Sequence, residues 1–286
     1  MQKLLLILAS VVLMALTNDK PAYLLYDKNG KEAAYRDLLK ASSQADVIFF
    51  GELHNNPICH WLQIQLTKDL FAAQGGNLIL AAEMFETDNQ LILNEFLAGQ
   101  VKESNFEREA KLWDNYATDY KPLVNFAKAN RLPFVATNVP RRYASMVASG
   151  GLAALEQLEP AAKALVAPLP IQVDLELPGY KNMLAMMGGH GGTGSNIVLA
   201  QAIKDATMAH QIAQAWQKGK KLIHFNGAYH SDNYEGIIWY LKKYKPEIQI
   251  ATITSVEQET VEKLAPETKG KADFIICIPA DMTKTY

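Results

Sequence analysis

The chain has 286 residues, 49% of them hydrophobic, with 28 Lys and Arg against 30 Asp and Glu, for a net charge of −2. That length buries a full core, as one domain with an insertion or as two unequal domains. The near-neutral balance, with no basic stripe interleaved with aromatics and no internal repeat, argues against nucleic-acid partners and against a solenoid.

Lys3 precedes an apolar run from Leu4 to Leu16, followed by polar Thr17-Asn18-Asp19. A charged start, about 13 apolar residues and a polar exit read as a secretory signal over residues 1–18, too short to span a membrane. No cysteine follows the run, so it offers no site for a bacterial lipid anchor, and the expected location is the periplasm or cell envelope. The two cysteines, Cys59 and Cys277, both sit in apolar surroundings and are expected as buried free thiols. Tyr23 to Glu32 reads as a hairpin about Asn29-Gly30, a strong two-residue turn signal, and Tyr35 to Ala41 as a helix.

Val47-Ile48-Phe49-Phe50 reads as a buried strand running into Gly51-Glu52-Leu53-His54, with a helix following from Pro57, a favourable first-turn residue. That helix, Ile58 to Ala73, carries Leu62, Leu66 and Leu70 at helical spacing and stops before Gly75-Gly76. A second strand, Leu78 to Ala82, meets Glu83. Helices follow over Asn89 to Leu97 and Lys121 to Asn130, separated by the aromatic-rich stretch Trp113 to Tyr120. A third strand, Leu132 to Ala136, ends at Thr137-Asn138, before Pro140-Arg141-Arg142.

From Tyr143 to Met187 the pattern is helical and broken by prolines. It reads as a small helical insertion over residues 140–195, set into a sheet domain of residues 19–139 and 196–286. It closes on Met183, Met186, Met187 and the glycine-rich segment around His190, a hinge or lid rather than a dinucleotide fingerprint. Ser195 caps a helix to Gln217 whose apolar stripe includes Leu199, Ala202, Ala206 and Ala209, with Gln201, Asp205 and Met208 on the neighbouring face. Lys221 to Phe225 is a fourth strand, leading to Asn226-Gly227-Ala228-Tyr229-His230. After a helix from Tyr234 to Tyr244 come strands at Ile248 to Ile253 and Phe274 to Ile278. Strands alternating with helices point to an α/β fold, a mostly parallel sheet flanked by helices.

In a parallel sheet all strands end at one edge, where ligands bind. Glu52, His54, Glu83, Asn138, Arg141 and His230 would therefore share a rim. Two imidazoles and two carboxylates, Glu52, His54, Glu83 and His230, can hold a divalent metal (Mn, Co or Zn) for a metal-dependent hydrolase. The same groups can instead form a polar floor in which a carboxylate fixes a histidine tautomer. His60, His210 and His224 read as structural.

Phe50-Gly51-Glu52-Leu53-His54, Ala82-Glu83-Met84-Phe85, Asn138-Val139-Pro140-Arg141, Ala200-Gln201 with Lys204-Asp205 and Met208-Ala209, and Asn226-Gly227 with His230 resemble, in order, the motifs of the ChaN-like haem-binding uptake proteins of the Tiki/TraB-type superfamily. The resemblance spans roughly residues 45 to 245. It implies haem held between a parallel-sheet domain and a small helical domain, a phenolate ligand, and dimers with stacked haems. It also implies a role in haem and iron acquisition with an outer-membrane receptor as partner, whereas the metalloprotease members of the superfamily imply the hydrolase alternative. Candidate haem-binding residues are Tyr180, His190, Tyr143 and Tyr229, with Arg141 or Arg142 for the propionates. A third reading is a module for a small non-haem ligand on the same rim.

Overall fold

The computed structural model describes residues 20–187 and 193–286. The expected signal segment and His190 with its neighbouring glycines lie outside them. Seven strands form one sheet in the order β1-β7-β6-β2-β5-β3-β4. They are β1 Leu24–Asp27, β2 Val47–Glu52, β3 Leu78–Glu86, β4 Phe134–Asn138, β5 Lys221–Gly227, β6 Ile250–Gln258 and β7 Phe274–Pro279. Only β1 runs antiparallel, along β7; all other neighbours are parallel. The α/β expectation therefore holds.

The helices are α1 Tyr35–Gln44, α2 Pro57–Ala73, α3 Gln90–Leu97, α4 Glu103–Glu109, α5 Lys121–Asn130, α6 Arg141–Gly150, the single turn α7 Pro160–Lys163, α8 Pro178–Met186, α9 Thr193–Ala215 and α10 Ile237–Tyr244. Among the described residues no helix is long and apolar enough to cross a membrane.

Alternation along β2 shows how the layers are built. Ile48 and Phe50 face a core with Leu62, Leu66 and Leu70 of α2, Leu93 and Phe96 of α3, and Leu123 and Val124 of α5. Val47 and Phe49 face the opposite core, with Ala206, Met208, Ala209 and Ile212 of α9 and Ile237, Ile238 and Leu241 of α10. Successive side chains on a strand point to opposite faces, so a run apolar at every position must be covered twice. Cys59 and Cys277 are both buried and free.

Several elements differ from expectation. The Asn29-Gly30 turn closes, with Gly30 N–H donating to Asp27 O at 2.9 Å, but its return arm makes a single bridge, Tyr26 to Glu32. β1 instead joins the sheet edge beside β7, where four residues pair. The helix expected from Tyr234 begins at Ile237, because Asn233, Tyr234 and Gly236 take positive φ of 58°, 60° and 53° and so leave the helical region. α9 is buried well beyond one apolar stripe, as α6, α8, α10 and β4 all pack against it. Between β4 and α9 the described chain contains helices and no strand; Tyr143, Ala144 and Val147 of α6 pack on Ala200 and Ile203, and Tyr180 and Leu184 of α8 on Val198 and Ala202.

Candidate functional site

β2, β3, β4 and β5 run parallel, so the ends of β2, β4 and β5 bring Glu52, Asn138 and Gly227 to one edge, where Glu83 of β3 joins them. A cleft of about 990 Å³ opens there, and His54, Glu83, Asn138, Arg141 and His230 line it together. The gathering expected of these five residues is what the structure places. Glu83 reaches the cleft from inside β3, since pairing with β4 slips between Ala82 and Glu86.

The floor consists of two carboxylate–imidazole pairs. In the first, the buried Glu52 accepts from Tyr120 Oη at 2.7 Å and bonds His54 Nδ1 at 2.9 Å through Oε1, while Oε2 accepts from the Gln63 amide. Burial alone would raise the Glu52 pKa, but the hydrogen bond from His54, the nearby His60 and His54 charges and the Tyr120 bond outweigh it and hold it below the usual range. Burial pulls His54 the other way, yet its bond to Glu52 and the charges of Glu83 and Glu52 leave its pKa raised. The His54 carbonyl accepts from Asn115 Nδ2 at 2.9 Å and sits 3.0 Å from His60 Nε2, fixing the turn. Trp113 packs edge-on against the imidazole, ring centroids 4.9 Å apart.

In the second pair His230 is enclosed. Its Nδ1 lies 2.5 Å from Asp205 Oδ1 and its Nε2 3.2 Å from Glu83 Oε1, with the Gln201 amide nitrogen 3.2 Å from both ring nitrogens. Burial opposes protonation, but the charges of Glu83 and Asp205 prevail and push His230 up to about 10. Glu83 is correspondingly held low despite burial, by His230, by His54 and by the Gly227 N–H donating to Oε2 at 2.8 Å. Asp205 accepts from Tyr180 Oη through its other oxygen at 2.6 Å. Between the pairs lies Gly227, where a Cβ would meet His54 Nε2 at 2.7 Å.

The four residues expected as a metal shell are instead paired two by two, Glu52 with His54 and Glu83 with His230, and of their imidazole nitrogens only His54 Nε2 is left open among the described residues. Among the described residues no group of three or more His, Cys, Asp and Glu side chains is arranged to hold a metal ion. The metal-ligand set gains no support from this arrangement, in which both His230 nitrogens face carboxylates or the Gln201 amide.

The tyrosines are dispersed. Tyr180 is buried and bonded to Asp205, and burial and that carboxylate push its phenol pKa upward, keeping it a neutral donor. Tyr229 is partly exposed and donates to Gly179 O, and Tyr143 is buried under Arg142 with its hydroxyl 3.2 Å from Nη2. None of the three lines the cleft. The exposed Arg141 and half-buried Lys204 line it without an ion pair among the described residues, whereas Arg142 and Lys111 are paired with Asp88.

Sequence reasoning missed part of the network. Asn115, Asp119 and Tyr120 come from the aromatic-rich stretch, which forms a π-helical turn over Tyr116–Tyr120. Its mix of Asp, Asn and aromatics was the available signal. His60, read as structural, props the site from below, 3.4 Å from Asp119 Oδ2 and 3.9 Å from Glu52 Oε2. His224 is the core histidine expected, fully buried and pushed down to about 4 by burial, bonded to Thr137 and Asn226.

A family model described as haem-binding uptake, Tiki superfamily, ChaN matches residues 38–241. The chain belongs to the ChaN family. Among solved structures it is similar to ChaN of Campylobacter jejuni, described with cofacial haem binding, at a TM-score of 0.68 and 17% identity over 89% of this chain and 96% of that one. A Bacillus cereus protein aligns at a TM-score of 0.50 and 13% identity, covering 86% and 92% of the two chains. At such identities the likeness to these structures shows the fold, and the ChaN family membership rests on the sequence match. No curated protein sequence matches the chain.

Proposed function

We propose that this ChaN-family chain is an exported haem-binding protein of haem and iron acquisition, with haem held in the cleft between sheet rim and helical insertion. The observation that supports this best is the make-up of the cleft. At about 990 Å³ it lies at the top of the usual ligand-pocket range of roughly 300–1,000 Å³. Trp113, Leu112 and Val139 offer an apolar surface to a flat macrocycle, and Arg141 and Lys204, which have no ion pair among the described residues, offer two cations for its propionates. Bound ferric haem would supply an iron that accepts an axial imidazole or phenolate. His190, Tyr143 and Tyr180 from the insertion and Tyr229 beside the rim are the candidate ligands; the three tyrosines would first have to give up their bonds to Arg142, Asp205 and Gly179.

Titration of the purified protein with hemin tests the reading. A saturable Soret shift is expected, weakened about tenfold in the Arg141→Ala, Lys204→Ala double variant. A shift no greater than nonspecific albumin-like binding overturns it. The cofacial haems described for the Campylobacter protein suggest that haem joins two copies here too, which light scattering with and without hemin measures. Export after removal of residues 1–18 is part of the same proposal, read from the N-terminal sequence of the mature protein. An outer-membrane haem receptor is the partner such a route implies, tested by haem transfer from receptor-containing vesicles.

A further inference from the structure

Haem binding leaves the floor of the cleft unexplained. A pocket for a flat, amphipathic ligand has no need of three buried carboxylates, Glu52, Glu83 and Asp205, each at most 5% exposed, since removing charge from water is costly unless it is paired. Groups held charged at such cost in a cleft are commonly there for chemistry.

The Glu52–His54 pair has the arrangement that general-base catalysis requires. Glu52 is buried, does not line the cleft and is bonded at both oxygens: Oε1 serves Tyr120 and His54, and Oε2 serves Gln63. Its remaining role is to orient His54. With Nδ1–H directed to Glu52, the imidazole carries its lone pair on Nε2, which has no hydrogen-bond partner among the described residues. Both imidazoles line the cleft, but the His54 side chain is 35% exposed against 7% for His230. Gly227 keeps this edge free; any side chain there would press on Nε2 and stand 3.6 Å from Glu83 Oε2. Lys204 and Arg141 offer the same cleft two cations for an anionic substrate, beside the carboxylates of Glu83, Glu86 and Asp114.

We propose that the cleft hydrolyses carboxylic esters bearing a second, anionic group, with His54 as general base and Glu52 as its positioning residue. This goes beyond the haem-binding reading and shares only its cleft. The water oxygen adds to the ester carbonyl carbon as its proton passes to His54 Nε2, and the carbonyl π pair moves onto oxygen. Collapse of the tetrahedral adduct breaks the bond to the alkoxy oxygen, which leaves with the proton from Nε2. Water is the co-reactant, and acid and alcohol are the products.

The test uses full-length haem-free protein in EDTA, with mono-4-nitrophenyl glutarate as the anionic ester and 4-nitrophenyl acetate as the neutral one. Nitrophenolate release is expected to show a higher kcat/KM for the glutarate. His54→Ala should lower kcat by about 10²-fold or more, the range of a general base, and added imidazole should restore part of the rate above a protein-free imidazole blank and above the same addition to wild type, which a merely structural role would not allow. Glu52→Gln should lower kcat with little change in KM, and His210→Ala, distant on α9, should behave as wild type. The proposal is overturned if His54→Ala keeps the wild-type rate, if imidazole restores nothing to a folded His54→Ala protein, if chelation abolishes the activity, or if neither ester is hydrolysed. Hemin titration of the same samples separates the two readings. An intact Soret shift without hydrolysis removes only the catalytic one, and hydrolysis without a Soret shift removes only the haem one.

Discussion

The two glutamate–histidine pairs of the cleft floor are built from the same residue types and placed in opposite electrostatic circumstances. At the exit of β2, His54 meets one carboxylate through Nδ1 and turns its other edge to the cleft. At the exit of β5, His230 is wedged between Glu83 and Asp205 with neither nitrogen left over. The number of carboxylates facing each ring decides the difference. One partner orients an imidazole and leaves it chemically available; two partners convert it into a fixed cation that pins three elements, β3, α9 and the β5 exit, to one another.

Breaking the closed pair should have the larger effect. His230→Ala leaves Glu83 and Asp205 buried without their cation, and a loss of about 3–5 kcal/mol in urea unfolding is expected, against about 1–3 kcal/mol for His54→Ala, which removes one hydrogen bond from Glu52. Equal losses would dissolve the distinction.

pH dependence sharpens the same contrast. His230 moves from 6.5 to about 10 on folding, so its stabilisation is fully present below about 6.5 and is lost as pH rises through about 10. His54, also raised, contributes in the same sense. Glu52 and Glu83, held below their ordinary 4.5, stabilise above that value and lose their contribution as pH falls through their folded pKa values. Urea midpoints measured from pH 4 to 10.5 should therefore decline on the alkaline side, and His230→Ala should flatten most of that decline.

Gly227→Ala addresses the space between the pairs. The added Cβ would sit 2.7 Å from His54 Nε2, so a displaced imidazole is expected in a crystal structure, with about 1–3 kcal/mol of destabilisation. The smallest change concerns the C-terminal segment. Thr285 Oγ1 donates to Asp119 Oδ2 at 2.9 Å, and Thr285→Ala should cost only about 0.5–1.5 kcal/mol in the same unfolding assay.

Much of this framework is legible in the sequence. Val47 to Phe50 is apolar at every position, which marks a strand covered on both faces, and the alternation of such runs with helical periodicity points to a parallel sheet. That sheet in turn brings Glu52, Glu83, Asn138 and His230 to one rim. Less legible are residues whose role depends on what packs beside them. Met208 and Asp205 look alike as members of a polar flank on α9, yet Met208 enters the core against the sheet and Asp205 meets His230. Gln63 and His60 lie on a helix that the sequence marks by its leucines, and their packing under Glu52 and beside Tyr120 shows that they support the site.

The amino-acid order by itself determines the elements, the direction of the strands and the edge at which the polar residues collect, because hydrophobic periodicity is local and a parallel sheet has one C-terminal side. Which of those polar groups bond to one another was decided by the tertiary structure. A hydrogen bond depends on a few tenths of an ångström between residues far apart in the chain, 144 positions in the case of Gly227 and Glu83, and such distances follow from helix packing and strand register. The same spacing of glutamate and histidine could have formed a metal shell, and the carboxylate of Asp205, contributed by α9, instead made one of the two imidazoles a buried cation.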